Sequence, residues 1–175
     1  MVSVRLYVEG GGDGQLLDTL FREGWRRFFE EAGLAGKMPR VVRGQGQTQT
    51  FDMFSTAVAT AQPGDLPLML VDSEDSVLPG NSVWQHLKAR DGWDKPAGAL
   101  EDQAFLMVQL METWFLADRD LLRSYFGASF RDKHIRKWPE LEAVPKTTVL
   151  KSLGGHGHAG LPRHLSHSQG AGRPI

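Results

Sequence analysis

The chain has 175 residues, 41% of them hydrophobic and 23% charged, with a formal net charge of −1 and no cysteine. That length suits one domain with a real core and leaves little room for a second. The near-neutral balance does not imply non-specific DNA binding by charge alone and leaves a local basic patch open, and the lack of cysteine excludes disulfides, thiolate catalysis and Cys-based zinc sites. The N-terminus runs directly into VSVRLYV with no signal-like segment, and no apolar run is long enough to span a bilayer. A soluble, cytoplasmic protein with no membrane partner is expected.

Val2 to Val8 is rich in branched and aromatic residues and stops at Glu9 and a glycine cluster, which predicts a buried first strand. Leu16, Leu17, Leu20, Phe21, Trp25, Phe28 and Phe29 recur at helical spacing. They predict a helix over Gln15 to Ala32, with Asp13 as N-cap and Gly33 and Gly36 at its end. A short strand is expected at Pro39 to Val42. GQGQTQT reads as a polar loop before a helix from about Phe51 to Ala61. Leu66 to Val71 is continuously apolar, too short for a helix, and ends in Asp72, as a central parallel strand would.

Residues 73–101 read as a long excursion with one helical turn near Val83 to Lys88. Ala104 to Val108 is a predicted fourth strand and Glu112 to Ala117 a helix. Asp118 is placed as the cap of a further short helix through Tyr125, with Gly127 just past its end, and Thr147 to Leu153 forms a last helical turn. Strands alternating with helices indicate an α/β sheet, mainly parallel, with helices on both faces. Residues 1–153 are read as the domain. Residues 154–175 hold four of the six histidines and many glycines without apolar periodicity, and are expected to be a flexible tail adding little to the core. The HxH and HxxH spacings there are weak metal signals.

Two acidic strand ends carry the chemistry. YVEGGGDG, residues 7–14, opens a strand into a glycine-rich loop and a helix. A dinucleotide reading fits poorly, because Glu9 and Asp13 would repel pyrophosphate and Gln15 interrupts the GxGxxG spacing. The remaining readings are a tight turn with a solvated Glu9, or Glu9 as the functional group with glycines admitting a close approach. In LVDSEDSV, Asp72 and Glu74 lie two apart, and in extended chain both would face one side. Asp75 adds a third acid. The alternative is a plain polar turn. If the two strands are central neighbours, Glu9, Asp72 and Glu74 meet at the carboxyl edge of the sheet, where α/β proteins bind ligands. Converging carboxylates raise one another's pKa, and a hard divalent ion relieves the repulsion. Glu112, inside the apolar QLMETWFLAD, is either a ligand or partner of that site or an acid favoured by a helix N-terminus. Trp84, Trp93, Trp114 and Trp138 are read mainly as core. No GxSxG, HExxH or P-loop lysine pattern is present.

In this order, YVEGGGD, FDMF, LVDSED, VWQHL, RDGW, DQAFLMVQLMETWFLADRDLL and VPKTTVL resemble the family called domain of unknown function 4276, grouped with toprim-like folds, over roughly residues 3–153. The resemblance implies a glutamate after the first strand and an acidic pair after a later one, holding Mg²⁺ (or Mn²⁺) for phosphodiester chemistry. Carried over by motif, these are Glu9, Asp72 and Glu74 as catalytic and metal residues, with Glu112 as a further metal acid. Glu74 stands where the commoner toprim pattern has Asp. After VPKTTVL the resemblance implies a structured basic stretch, and this chain turns Gly- and His-rich. If that stretch supplies a lysine or DNA contacts, activity is expected to be reduced or absent.

The expected function is therefore a Mg²⁺-dependent, nuclease-like protein of a bacterial defence system, acting on nucleic acid beside an ATPase. The rival is a non-catalytic metal- or partner-binding module of the same fold. A third reading, phosphomonoester hydrolysis with Asp72 as nucleophile, needs a downstream lysine, for which Lys146 is the only suggestive residue.

Overall fold

The computed structural model describes residues 2–11 and 14–154. Four strands form one sheet: β1 (Ser3–Glu9), β2 (Arg40–Gly44), β3 (Asp65–Asp72) and β4 (Ala104–Met107), in the order β2-β1-β3-β4. Every pairing is parallel, with Val8 opposite Leu70 across the β1–β3 ladder and Asp72 opposite Met107 across β3–β4. The two apolar runs that end in acids are thus the central pair, as expected. Each strand extends one residue further than its apolar run, so Glu9 and Asp72 are themselves the last paired residues. Pro67, which cannot donate to a ladder, lies before the point where β4 joins at Met69, and its carbonyl accepts from Gln103 Nε2 at 3.0 Å.

Period-two alternation divides the sheet between two cores. Tyr7, Met69 and Val71 pack with Phe54 of α2 (Gln47–Ala59) and with Trp84 and Leu87 of α3 (Val83–Asp91). Leu6, Val8 and Leu70 pack with Trp25 of α1 (Gln15–Glu31) and with Met107. Helices therefore cover both faces. Fully buried side chains such as Phe54 and Met69 each contribute about 1.5–3 kcal/mol relative to exposure. A third cluster, around Leu110, Leu116, Ile135 and Val149, joins α4 (Met111–Phe115), α5 (Arg119–Phe126) and α6 (Lys146–Gly154).

Several elements depart from their predicted bounds. The segment read as a polar loop is mostly helix: α2 begins at Gln47, four residues before the expected Phe51. Its first turn is polar because it faces the sheet end, where Thr50 is fully buried and donates to Gly46 O at 2.7 Å. The single turn expected near Val83 is a nine-residue helix. A Ser82–Gln85 capping box starts it, and Gly92, at φ 74°, ends it. Asp118 caps α5 as expected, accepting from Leu121 N at 2.8 Å. The Asp13 cap lies outside the described residues, and the residue at the N-cap of α1 is Gly14. The tail from residue 155 lies outside them too. Among the described residues, no helix is long and apolar enough to cross a membrane.

Two glycines give opposite predictions. A Cβ on Gly44 would come within 2.0 Å of Thr50 Oγ1 and 3.0 Å of its backbone Cα, at the strand end beside Glu9. Gly44→Ala is expected to destabilise by about 1–3 kcal/mol through overpacking. Gly24, in mid-α1, has open space around it and an ordinary helical φ, so Gly24→Ala is expected to stabilise by about 0.5–1 kcal/mol. Urea denaturation of the two variants checks both signs.

Candidate metal centre

Parallel strands carry their carboxyl ends to one edge, and the first two acids arrive there on neighbouring strands. Glu9 closes β1 and Asp72 closes β3, and Glu9 Oε2 accepts a hydrogen bond from Asp72 N at 3.3 Å. Glu74 completes the group. One carboxylate oxygen from each of Glu9, Asp72 and Glu74 lies within 4.8 Å of the others. Extended alternation predicts that Glu74 joins Asp72, and the structure reaches the same convergence by another route. The chain leaves β3 after Asp72 and turns, and Glu74 has φ 61°, the only positive φ at a non-glycine residue among those described. A left-handed backbone costs such a residue about 1–2 kcal/mol, so its surroundings must hold it.

They do so through the segment after β4. Ser73 N donates to Met107 O at 3.0 Å and Glu74 N to Gln109 O at 2.7 Å. His86, buried on α3, donates from Nε2 to Ser73 O at 2.9 Å. Gln109 is itself buried, and its side chain ties three places together. Its Nε2 donates to Ser76 Oγ at 2.9 Å and to Glu142 O at 3.3 Å, while its Oε1 accepts from Lys146 N at 3.1 Å. Lys146, at the start of α6, forms an ion pair with Glu74. Gln109→Leu would leave those groups unpaired and is expected to cost about 1–3 kcal/mol in denaturant titrations.

A second set of hydrogen bonds gathers on the Asp72 main chain. Its carbonyl accepts from Gln47 Nε2 and from Arg90 Nη1, each at 3.0 Å, and Arg90 Nη2 donates to Gln47 Oε1 at 2.9 Å. Asp91 in turn accepts from Arg90 Nε at 2.8 Å. The Asp72 carboxylate accepts from Met111 N, at the start of α4, at 2.9 Å.

Electrostatics reflect the crowding. Burial, with the neighbouring Glu74 charge adding to it, pushes Glu9 up to about 7 against hydrogen bonds from Asp72 and Gln47. Burial and the charges of Glu9, Glu112 and Glu74 push Asp72 up to about 8. Glu112 is buried and close enough to act on Asp72, yet it is not one of the three grouped acids. Asp75 is exposed and outside the group. Gln47, Arg90 and Gln109 are additions that the sequence pattern does not single out. Arg90 lies in the RDGW segment of the resemblance, and Gln109 is a polar residue inside an apolar run, the same signal that marks Glu112.

The protein-family model described as domain of unknown function (DUF4276) matches residues 8–154, which takes in all three carboxylates together with Gln47, Arg90, Gln109 and Lys146. The chain belongs to the DUF4276 family. No curated protein and no solved structure matches it. The chemistry of this DUF4276 chain therefore rests on its donor set. Three oxygen donors converge at a sheet edge, with Lys146 and Arg90 beside them and no cysteine in the chain. Hard divalent ions such as Mg²⁺ prefer that donor set, being held through carboxylates with waters retained.

Proposed function

We propose that this DUF4276 protein is a toprim-like, Mg²⁺-dependent enzyme that hydrolyses phosphodiesters. The observation that carries the reading is the meeting of Glu9, Asp72 and Glu74, with two of them pushed to about 7 and about 8 by burial and mutual repulsion. Such a group is costly alone and is relieved by a cation. Glu9, Asp72 and Glu74 would hold the ion, and Glu112 would act through Asp72. A bound Mg²⁺ supplies Lewis-acid stabilisation of charge on a phosphoryl oxygen and activates water.

The chain's own residues do the positioning. Arg90 and Gln47 fix the Asp72 main chain, so its carboxylate keeps one orientation against the Met111 amide. The Gln109 hydrogen bonds hold Glu74 in its left-handed turn. Lys146 balances the Glu74 charge and places an ammonium beside the acidic group. By the same family resemblance, a bacterial defence role beside an ATPase is part of the proposal. The test is cleavage of labelled single- and double-stranded DNA and RNA in Mg²⁺ against EDTA. Cleavage that persists in EDTA would sink the metal mechanism.

A second reading has a specific observation behind it. The Glu74–Lys146 ion pair neutralises one of the three acids within the chain. That suits a non-catalytic module that keeps the fold. Mg²⁺ binding with no product from any nucleic acid, with the ATPase partner present, selects it.

A further inference from the structure

Outside the acidic group, a cleft of about 370 Å³ lies between α1 and the edge strand β2. Arg22, Arg26, Arg40 and Arg43 line it against a single acid, Asp18. The whole chain carries a net charge of −1, so four guanidiniums around one cleft are a local concentration and not a general property. Their charges are unequally compensated. Arg26 is paired with Glu23 and Glu30, and Arg43 with Asp18. Arg22 only donates from Nε to the Asp18 carbonyl at 3.2 Å, and neither it nor Arg40 makes an ion pair among the described residues. Both are exposed. Two uncompensated positive charges thus face the cleft.

The cleft also leads toward the acidic edge. Arg43 precedes Gly44, the residue registered opposite Glu9, and its Nη2 donates to Gly11 O at 2.5 Å. The basic wall therefore runs along β2 to the glycine turn that follows Glu9. The floor is apolar, with Phe29, Met38 and Pro39 among its lining. A basic wall over an apolar floor is what single-stranded nucleic acid uses, the first for its phosphates and the second for its bases.

We propose that the α1–β2 cleft binds the phosphate backbone of a single nucleic-acid strand and leads it over Gly10 and Gly11 to the acidic group. This rests on the hydrolase reading for where the strand goes, but not for whether it binds. The experiment uses the full chain, the double variant Arg22→Glu/Arg40→Glu and the charge-keeping Arg22→Lys/Arg40→Lys. Fluorescence anisotropy follows a labelled single-stranded oligonucleotide over a salt series, in Ca²⁺ and in EDTA. Mg²⁺-dependent melting of each protein is measured in parallel.

The wild type and the Lys variant should bind the strand. The Glu variant should bind at least tenfold more weakly, and its slope of log affinity against log salt should fall by about 1.4, or about 0.7 for each phosphate that no longer meets a guanidinium. Its Mg²⁺-induced rise in melting temperature should match the wild type, which shows it is folded with the acidic group intact. Equal affinity and slope in wild type and Glu variant would overturn the inference. So would no strand binding by the wild type, or displacement of the strand by a mononucleotide at equal concentration. Failure of the wild type to respond to Mg²⁺ would instead remove the metal reading and leave the anisotropy in EDTA to decide the cleft.

Discussion

Replacing Glu9 or Glu74 by Gln, or Asp72 by Asn, is expected to lower phosphodiester cleavage by about 10³-fold or more. Each amide keeps the size of the side chain and removes the charge that holds a cation. Since the three oxygens lie within 4.8 Å of one another, each substitution damages the same centre. The losses should therefore not add: the triple variant should be little worse than the worst single one. The fold should survive, because Asn at 72 still offers a carbonyl oxygen to Met111 N. Ca²⁺ should bind but support little cleavage, its larger and looser shell placing water poorly, whereas Mn²⁺ should substitute for Mg²⁺. Product formation is followed on end-labelled strands, with circular dichroism as the folding control. Full activity in Asp72→Asn would rule out the assignment.

The metal-free protein should lose stability as pH rises, the opposite of an acid in a favourable ion pair. Glu9 at about 7 and Asp72 at about 8 hold protons in the folded chain that the unfolded chain has released near its ordinary carboxylate values. Between those two ranges the folded state binds more protons, so each step up in pH favours unfolding. The decline should begin near pH 4 to 5 and level off above pH 8, with a slope of at most about 1.4 kcal/mol per pH unit for each group. Asp72→Asn should flatten most of it and be more stable than wild type at pH 8. Mg²⁺ should reverse the trend, because it binds the ionised acids. At a hundred times its dissociation constant it stabilises by about 2.7 kcal/mol, roughly 5–10 °C in melting temperature for a chain of this size. Calorimetry from pH 4 to 9, with and without Mg²⁺, reads both effects. Equal Mg²⁺ responses in wild type and Asp72→Asn would argue against the group as a metal site.

What was legible in the sequence was the part that burial dictates. Leu66 to Val71 reads as a central strand because a short continuous apolar run is tolerated only where both faces are covered, Val2 to Val8 reads as a buried strand from its branched and aromatic residues, and each runs into an acid. Glu9 and Asp72 followed from that alone. Glu74 joins them for a different reason from the one its spacing suggests. Alternation requires the strand to continue, whereas a left-handed turn delivers the carboxylate. The supporting residues are harder to see. Gln47 and Thr50 look like loop because polarity suggests solvent, yet their helix turn meets the polar end of a sheet. Arg90 is hidden when residues 73–101 read as irregular, although Ser82 and Gln85 carry a capping box and Gly92 a helix stop. The role of Gln109 depends on Lys146 and Glu142 meeting it in space, which no local pattern announces.

The Glu74–Lys146 pair also sets an order in time. Lys146 follows Glu74 by 72 residues in the chain. At a synthesis rate of about 5–20 residues per second, it leaves the ribosome about 4–14 s later. Through that interval Glu9 and Asp72 already exist on a sheet that can form, but the turn bearing Glu74 lacks both its cationic partner and the Gln109–Lys146 bond. The three acids come under full restraint only once α6 is made, so a chain cut short before residue 146 carries every ligand of the centre without its arrangement.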